Sequence, residues 1–325
     1  MNKKWRGAVV GVGYLGRFHA QKYSALAKGR FADSLEFVGV CDSNFSRAKE
    51  VASELGVKAF ESPQQLISQV DLVTIASITS THFELSRFFL ENGIHVNVEK
   101  PMTETAIQAK ELNDLAARKN LRLAVGQSER FNPVVVKIKE LMKQFAQPAK
   151  FVEIIRQAPF MGRAGDVSVL HDLSIHDFDL LNFIFQDNFA LQLVQGGHVC
   201  HAWNDWAQMT LLTKSGLEAR VVSSRIVGAT QRSIRIHFDD FVIEGDFQTT
   251  EIKIIRPDQK GLPQIEVIQC GKADHLLLET EAFLSSVILK AAPVVTGVDG
   301  EKAVSLVQQA FEKLSAKGLM GRYQN

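Results

Sequence analysis

The sequence predicts an α/β protein. It should have an N-terminal doubly wound parallel sheet and a C-terminal α+β domain with a large, mostly antiparallel sheet. Three observations predict this. Up to Gly126, short apolar runs alternate with helical stretches, the pattern of a parallel sheet. Between the first run and the first helix lies the turn Gly11-Val12-Gly13-Tyr14-Leu15-Gly16. After Gly126, β-rich segments follow one another across short turns, which implies antiparallel or mixed pairing.

In chain order, 7–12 reads as a strand and 15–28 as a helix. Strand 35–41 and helix 46–55 follow, then a weak strand at 57–60 and a short helix near 63–68. Segment 72–76 is a buried strand, 81–92 a helix stopped by Gly93, and 94–98 a strand. Helix 103–119, with no capping box at 103–106, leads to strand 121–125. Beyond a hinge at 126–132 come helix 133–145, strand 150–156, a glycine-bearing loop and helix 171–185. Strands are expected at 191–200, 207–213, 217–223, 233–238, 241–245 and 251–255. Amphipathic helices 274–290 and 300–317 close the chain. The domains are therefore 1–126, a dinucleotide-binding domain, and 127–325, an α+β domain to which the resemblance given below assigns substrate binding and oligomerisation. The last helix is expected to pack back on the first.

Charge and cysteines narrow the function. With 37 basic and 36 acidic residues the net charge is +1, so nothing favours nucleic acid as a partner. Cys41, Cys200 and Cys270 are far apart and form no CxxC, as expected of reduced cytoplasmic thiols. The basic start before an apolar run mimics a leader, but Gly11, Gly13, Gly16 and Arg17 break it. No run approaches membrane-spanning length.

The glycine turn meets the requirements of a dinucleotide fingerprint. The first glycine makes the turn, the second admits the pyrophosphate, and the third lets helix pack on strand. The helix N-terminus offers free N–H groups to phosphate. Asp42, at the end of the second strand, suits the ribose hydroxyls of NAD and disfavours NADP, although Arg47 could tolerate a 2′-phosphate. At the end of the fifth strand stands Glu99-Lys100-Pro101, which places a lysine where open α/β sheets hold ligands.

A second constellation is His171-Asp172-Leu173-Ser174-Ile175-His176-Asp177-Phe178-Asp179. In a regular helix Asp172, His176 and Asp179 share one face. A histidine between two acids can transfer a proton near neutral pH, although such a stripe is also what a solvated helix face looks like. No metal is expected. His171 and His176 are five apart rather than four, and in a strand His198 and Cys200 would face away from His201.

Taken together, these motifs resemble the Gfo/Idh/MocA oxidoreductases over essentially the whole chain. The resemblance rests on the glycine turn with Arg17-Phe18-His19, on Thr79-Ser80-Thr81-His82, on Glu99-Lys100-Pro101, and on the helix from Asp172 to Asp179. It implies that Lys100 sits between nicotinamide and substrate, that His176 is the general acid/base, and that Asp172 binds or polarises substrate. It further implies a Rossmann cofactor cleft formed by Gly11, Gly13, Tyr14, Leu15, Gly16, Asp42, Thr79, His82, Glu99, Lys100 and Gln127. Homodimers or homotetramers form through the C-terminal sheet in this family. Thr79 stands where the family often has proline, and Ser174 where it often has glycine.

Within that family, Gly126-Gln127-Ser128-Glu129-Arg130-Phe131-Asn132-Pro133 resembles a stretch of the UDP-N-acetylglucosamine 3-dehydrogenases. This implies that Arg130 and Asn132 contact a nucleotide sugar, with Arg163 as a further diphosphate contact. An interdomain or surface ion pair is the competing role for both arginines. The expected activity is NAD-dependent oxidation of a sugar ring hydroxyl to a ketone, for amino-sugar biosynthesis. The alternatives are an inositol or hexose dehydrogenase and a non-catalytic NAD-binding sensor.

Overall fold

A computed structural model of the chain describes residues 4–162 and 167–318. The chain divides into two units, Met1–Ser128 with Asp274–Val304, and Glu129–Ala273 with Ser305–Asn325.

The first unit is built on β1 (Trp5–Val10), β2 (Leu35–Cys41), β3 (Lys58–Phe60), β4 (Leu72–Ile75), β5 (His95–Glu99) and β6 (Leu123–Gly126). All pairs are parallel, in the order β3-β2-β1-β4-β5-β6. The order reverses between β1 and β4, which opens a crevice at their carboxyl ends. Helices α1 (Tyr14–Lys28), α2 (Phe45–Leu55), α3 (Thr79–Glu91) and α4 (Ala106–Lys119) make the crossovers. Local chemistry sets their ends. Asn44 caps α2 by accepting the Arg47 N–H, and Gly56 ends it at φ +69°. Helix α4 starts three residues later than expected. Thr105 and Gln108 form a reciprocal capping box there, two residues beyond the 103–106 stretch that was expected to lack one.

The first unit is discontinuous in sequence, unlike the single break expected at 126–127. Helix α7 (His275–Ile288), capped by Asp274, returns to it. Its Phe283, Leu284 and Val287 join Tyr23, Leu26 and Phe37 in one buried cluster. Lys22 Nζ meets Asp274 Oδ2 at 2.7 Å. The start of α8 (Gly297–Ala316) also belongs here, with Gly300 pressed against Val125 and Met102. Apolar side chains of the last helices thus complete a core that the first 126 residues leave uncovered. From Ser305 onward α8 belongs to the second unit. There Lys313 and Lys317 donate to the Leu191 and Val194 carbonyls at 3.0 and 2.9 Å.

The second unit adds α5 (Pro133–Met142), β7 (Phe151–Gln157), α6 (Ile175–Phe185), β8 (Ala190–Gly197), β9 (Trp206–Leu212), β10 (Glu218–Ser224), β11 (Gln231–His237), β12 (Val242–Asp246), β13 (Glu251–Pro257) and β14 (Pro263–Gln269). The sheet runs β14-β13-β12-β11-β7-β10-β9-β8, antiparallel except for β7 with β10. Alternation along β7 buries Val152 and Ile154 on one face and leaves Glu153 on the other. That second face carries Glu153, Arg220, Arg235 and Glu244 in cross-strand ion pairs. Two sequence expectations change here. Strand β14 was not foreseen; it is an exposed edge whose alternation does not separate apolar from polar sides. Strand β8 ends at Gly197 rather than continuing to 200, because Asp205 accepts the N–H groups of Val199, Cys200 and His201 and folds the chain over. Those three bonds hold the buried Asp205 carboxyl at about 2 against the opposing effect of burial. No helix among the described residues is long and apolar enough to cross a membrane.

Candidate active site

The carboxyl ends of the parallel strands gather the expected cofactor residues of the first unit. Gly11 turns at φ +82°, and a Cβ on it would lie 2.7 Å from the Ser77 backbone after β4. A Cβ on Gly16 would lie 1.8 Å from the Gly11 carbonyl, so the turn and α1 touch directly. Gly13 differs. A Cβ there would meet only Arg47 Nη1, at 3.9 Å, so its outer side is open and suits a pyrophosphate lying against backbone N–H groups. Tyr14 and Leu15 are exposed at the start of α1. The fit to a dinucleotide is therefore good.

Asp42 is buried. Its carboxylate accepts the Val12 N–H and the Asn44 N–H, both at 2.8 Å. Arg47 Nη1 stands 3.5 Å from its Oδ2 on a half-exposed side chain. One acid thus ties the glycine turn to the end of β2, with a cation beside it.

Glu99-Lys100-Pro101 follows β5, and the Lys100–Pro101 peptide is cis. Glu99 is buried, not lining an open cleft. His19 Nε2 donates to its Oε1 at 2.7 Å, and the Lys100 N–H donates to its Oε2 at 3.0 Å. Burial works to raise this carboxyl. The His19 bond, the Lys100 charge and the Lys100 N–H outweigh burial and hold it below the usual range. His82 is also buried. Its ring nitrogens face the Pro101 and Ser77 carbonyls at 2.8 and 3.1 Å, so it staples the two loops after β4 and β5 together. Thr79 opens α3 and is half-buried, and Gln127 is buried just past β6. His82, Glu99 and Gln127 are therefore buried, whereas Lys100 is half-buried.

In the second unit the helix expected at 171–185 is not uniform. Leu170–Ser174 is a π-turn, with Ile175 N–H donating to Leu170 O, and α6 begins after it. The segment carrying Asp172 is thus not the regular helix expected, and π-turns of this kind recur at functional sites. Asp172, in the π-turn, and His176, in the first turn of α6, are half-buried. Asp177 and Asp179 are buried. Asp177 accepts Arg156 Nε at 2.9 Å, while Arg156 also faces Glu129 at 3.4 Å. Burial, and to a lesser degree Glu129, push the Asp177 carboxyl up to about 6 despite Arg156. The expected three-residue polar stripe is thus reduced to Asp172 and His176.

Arg130 and Asn132, expected at the substrate, both make buried bonds within the second unit. Arg130 is 3 % exposed, and its Nε and Nη2 grip both Asp179 oxygens at 2.7 and 2.6 Å. Asn132 is buried and caps α5 by accepting the Val134 N–H at 3.0 Å. The Arg130 pair matches the competing ion-pair role, and the Asn132 side chain sets the start of α5. Arg163 lies outside the described residues.

Comparison with known proteins bears on this geometry. Residues 5–127 match the model of the Gfo/Idh/MocA family, an oxidoreductase family with an NAD-binding Rossmann fold. The UDP-N-acetylglucosamine 3-dehydrogenase of Acidithiobacillus ferrooxidans is 32 % identical over 94 % of this chain and 95 % of its own. The chain belongs to the Gfo/Idh/MocA oxidoreductase family. A solved structure of the A. ferrooxidans enzyme superposes with a TM-score of 0.85, covering 97 % of this chain and 99 % of that one. The scyllo-inositol 2-dehydrogenase of Bacillus subtilis is 29 % identical over 92 % of this chain and 91 % of its own.

In this Gfo/Idh/MocA member, sequence reasoning overlooked the supporting residues. His19 was noted only as part of a motif, although a histidine one turn into the first helix can reach the β5 end. Arg156 gave one usable signal, a charged residue at a position where strand alternation calls for an apolar one. Glu279 gave none, since an acid on an amphipathic helix reads as solvent-facing.

Proposed function

We propose that this Gfo/Idh/MocA oxidoreductase is an NAD-dependent dehydrogenase that oxidises UDP-N-acetylglucosamine at the 3-position to a ketone. The observation that carries this reading is the near full-length likeness to the A. ferrooxidans enzyme of that activity. The crevice geometry supports a dinucleotide at the Gly13 side of the turn, with the ribose hydroxyls donating to Asp42. When bound, NAD supplies a hydride acceptor. His176 takes the proton of the sugar hydroxyl, and Asp172 polarises and orients that group. Lys100 Nζ hydrogen-bonds the same oxygen and stabilises it while it becomes a carbonyl. The reaction releases a 3-keto nucleotide sugar, NADH and a proton. The enzyme works in the cytoplasm as a homodimer or homotetramer built on the open face of its eight-stranded sheet.

A second reading has support of its own. Inositol dehydrogenases of B. subtilis and Thermotoga maritima are 29 % and 26 % identical over most of the chain, which favours a free polyol as the rival substrate. NADH formation with UDP-N-acetylglucosamine and none with inositol is the expected result. Formation with inositol alone replaces the leading substrate. Lys100→Met and His176→Ala should each cut turnover by about 10²–10⁴-fold. Unchanged turnover in both discards the catalytic assignments. NAD binding without turnover of any nucleotide sugar or polyol favours a sensor.

A further inference from the structure

Beneath the Glu99-Lys100-Pro101 turn, three elements bring ionisable groups into one buried space. His19 comes from α1, Glu99 from β5 and Glu279 from α7, and all three are at most 6 % exposed. Their ligand atoms lie within 4.8 Å of one another. Asn97, also buried, points from β5 beside Glu279. Both Glu279 oxygens, both Asn97 amide atoms and His19 Nδ1 have no hydrogen-bond partner among the described residues. Buried polar groups in this state are uncommon and call for a reason. The Glu99 carboxylate is walled in on its last side by Gly126, where a Cβ would stand 2.8 Å from it.

We infer that Glu279 is a positioning residue: from α7 its side chain, beside Asn97, closes the buried space around the Glu99 carboxylate and so keeps it in the orientation, bonded to His19, that fixes the backbone N–H of Lys100. The inference rests on the reading of Lys100 as the group that binds the reacting oxygen. Glu99 has two oxygens and two bonds, one to His19 and one to Lys100 N–H. A second full charge beside it would pull that carboxylate out of place, so the arrangement requires Glu279 to stay neutral. Burial, and then the Glu99 charge, do hold the Glu279 carboxyl well above the ordinary range, with Asn97 acting weakly the other way. The other groups beside it are His19 and Tyr23 from α1 and Glu99 from β5. Tyr23 stays neutral, its phenol raised by burial and bonded to Thr74 Oγ1 at 2.9 Å. A cation is the less apt occupant. The 2.7 Å contact between His19 Nε2 and Glu99 Oε1 is already a made hydrogen bond between two atoms that a cation would need as ligands.

The sign of the pH dependence follows. Glu279 is neutral in the folded protein well above the pH at which it ionises unfolded. Its contribution to stability is therefore present at low pH and lost as pH rises through the raised folded value. Above that value a second carboxylate appears beside Glu99, and turnover falls.

The test compares Glu279→Gln and Glu279→Ala with wild type in the full-length enzyme, with kcat and both KM values measured across pH. Glu279→Gln, which mimics the neutral acid, should keep kcat within about threefold and lose the alkaline fall. Glu279→Ala should lower kcat by about tenfold or more, with both KM values changed by less than about threefold. An unchanged pH profile in Glu279→Gln overturns the inference. So does a Glu279→Gln enzyme as impaired as Glu279→Ala, or a stoichiometric divalent metal in the purified wild type. If the variants do not fold, wild-type thermal stability without cofactor carries the test. It should fall as pH rises and go on falling once Asp177 has lost its proton; a flat profile there overturns the inference. Lys100→Met separates the two readings. Full activity in that variant removes the role of Lys100, whereas its inactivity beside a harmless Glu279→Ala removes only the network.

Discussion

Arg130 and Asp179 form a buried two-pronged ion pair, Nε to Oδ2 at 2.7 Å and Nη2 to Oδ1 at 2.6 Å. The guanidinium also lies 4.6 Å from the centre of the Phe183 ring. Removing one partner leaves an uncompensated charge in the core. Arg130→Met should therefore lose about 3–5 kcal/mol of stability by urea unfolding. Arg130→Lys should recover part of that loss, with KM for the nucleotide sugar little altered. A variant of wild-type stability with a raised KM would return Arg130 to the substrate.

Asp177 makes a distinct pH prediction. Its carboxyl ionises at 3.8 as a free group and at about 6 in the fold, where it competes with Glu129 for Arg156. Below the first value both states hold the proton. Between the two, only the folded state does, so stability declines as pH rises through that window, by roughly 3 kcal/mol in all. Asp177→Asn lacks this slope, so its deficit relative to wild type should shrink between about pH 4 and about pH 6. Parallel stability curves for the two proteins would refute the assignment.

Cofactor choice turns on Asp42 and Arg47, which stand 3.5 Å apart. Losing the charge in Asp42→Asn should weaken NAD binding by about tenfold or more and narrow the preference over NADP. Arg47→Ala should leave NAD kinetics nearly intact and depress any NADP activity. Steady-state kinetics with both cofactors decide this; an NADP-selective wild type would reverse it.

Two glycines of the same turn should fail in different ways. Gly16→Ala forces a methyl to 1.8 Å from the Gly11 carbonyl. It should cost about 1–3 kcal/mol or more, lowering both Tm and NADH binding. Gly13→Ala meets nothing closer than Arg47 Nη1 at 3.9 Å. It should keep its Tm and lose NADH binding, because only the cofactor would feel the methyl. Fluorescence titration beside a thermal melt reads both.

Much of the fold was legible in the chain. Strand β2 has its expected bounds, and the glycine turn, the Asp42 position and the lysine after β5 lie where alternation and motif spacing put them. Those signals are local. A parallel strand buried on both faces is a short apolar run, and a phosphate turn needs glycine at set spacings. Strand β14 was missed because an exposed edge strand carries no burial pattern, and β8 was drawn too long because its end is set by Asp205, several residues on.

The sequence by itself determined the two architectures and the cofactor turn, and marked Lys100 and His176 as the groups proposed for the chemistry. Tertiary structure alone decided which charged residues are buried against a partner. Arg130, Asn132, Asp177 and Asp179 look as available in the sequence as Asp172 and His176, but each is withdrawn into the core by a partner or a backbone bond. Asp172 lies in a π-turn where a regular helix was expected. Glu279, from a helix that returns to the first unit, reaches the Glu99 carboxylate across nearly two hundred residues of chain. The physical reason is that periodicity reports which side of an element is buried, while the pairing of buried charges depends on what another element brings against that side.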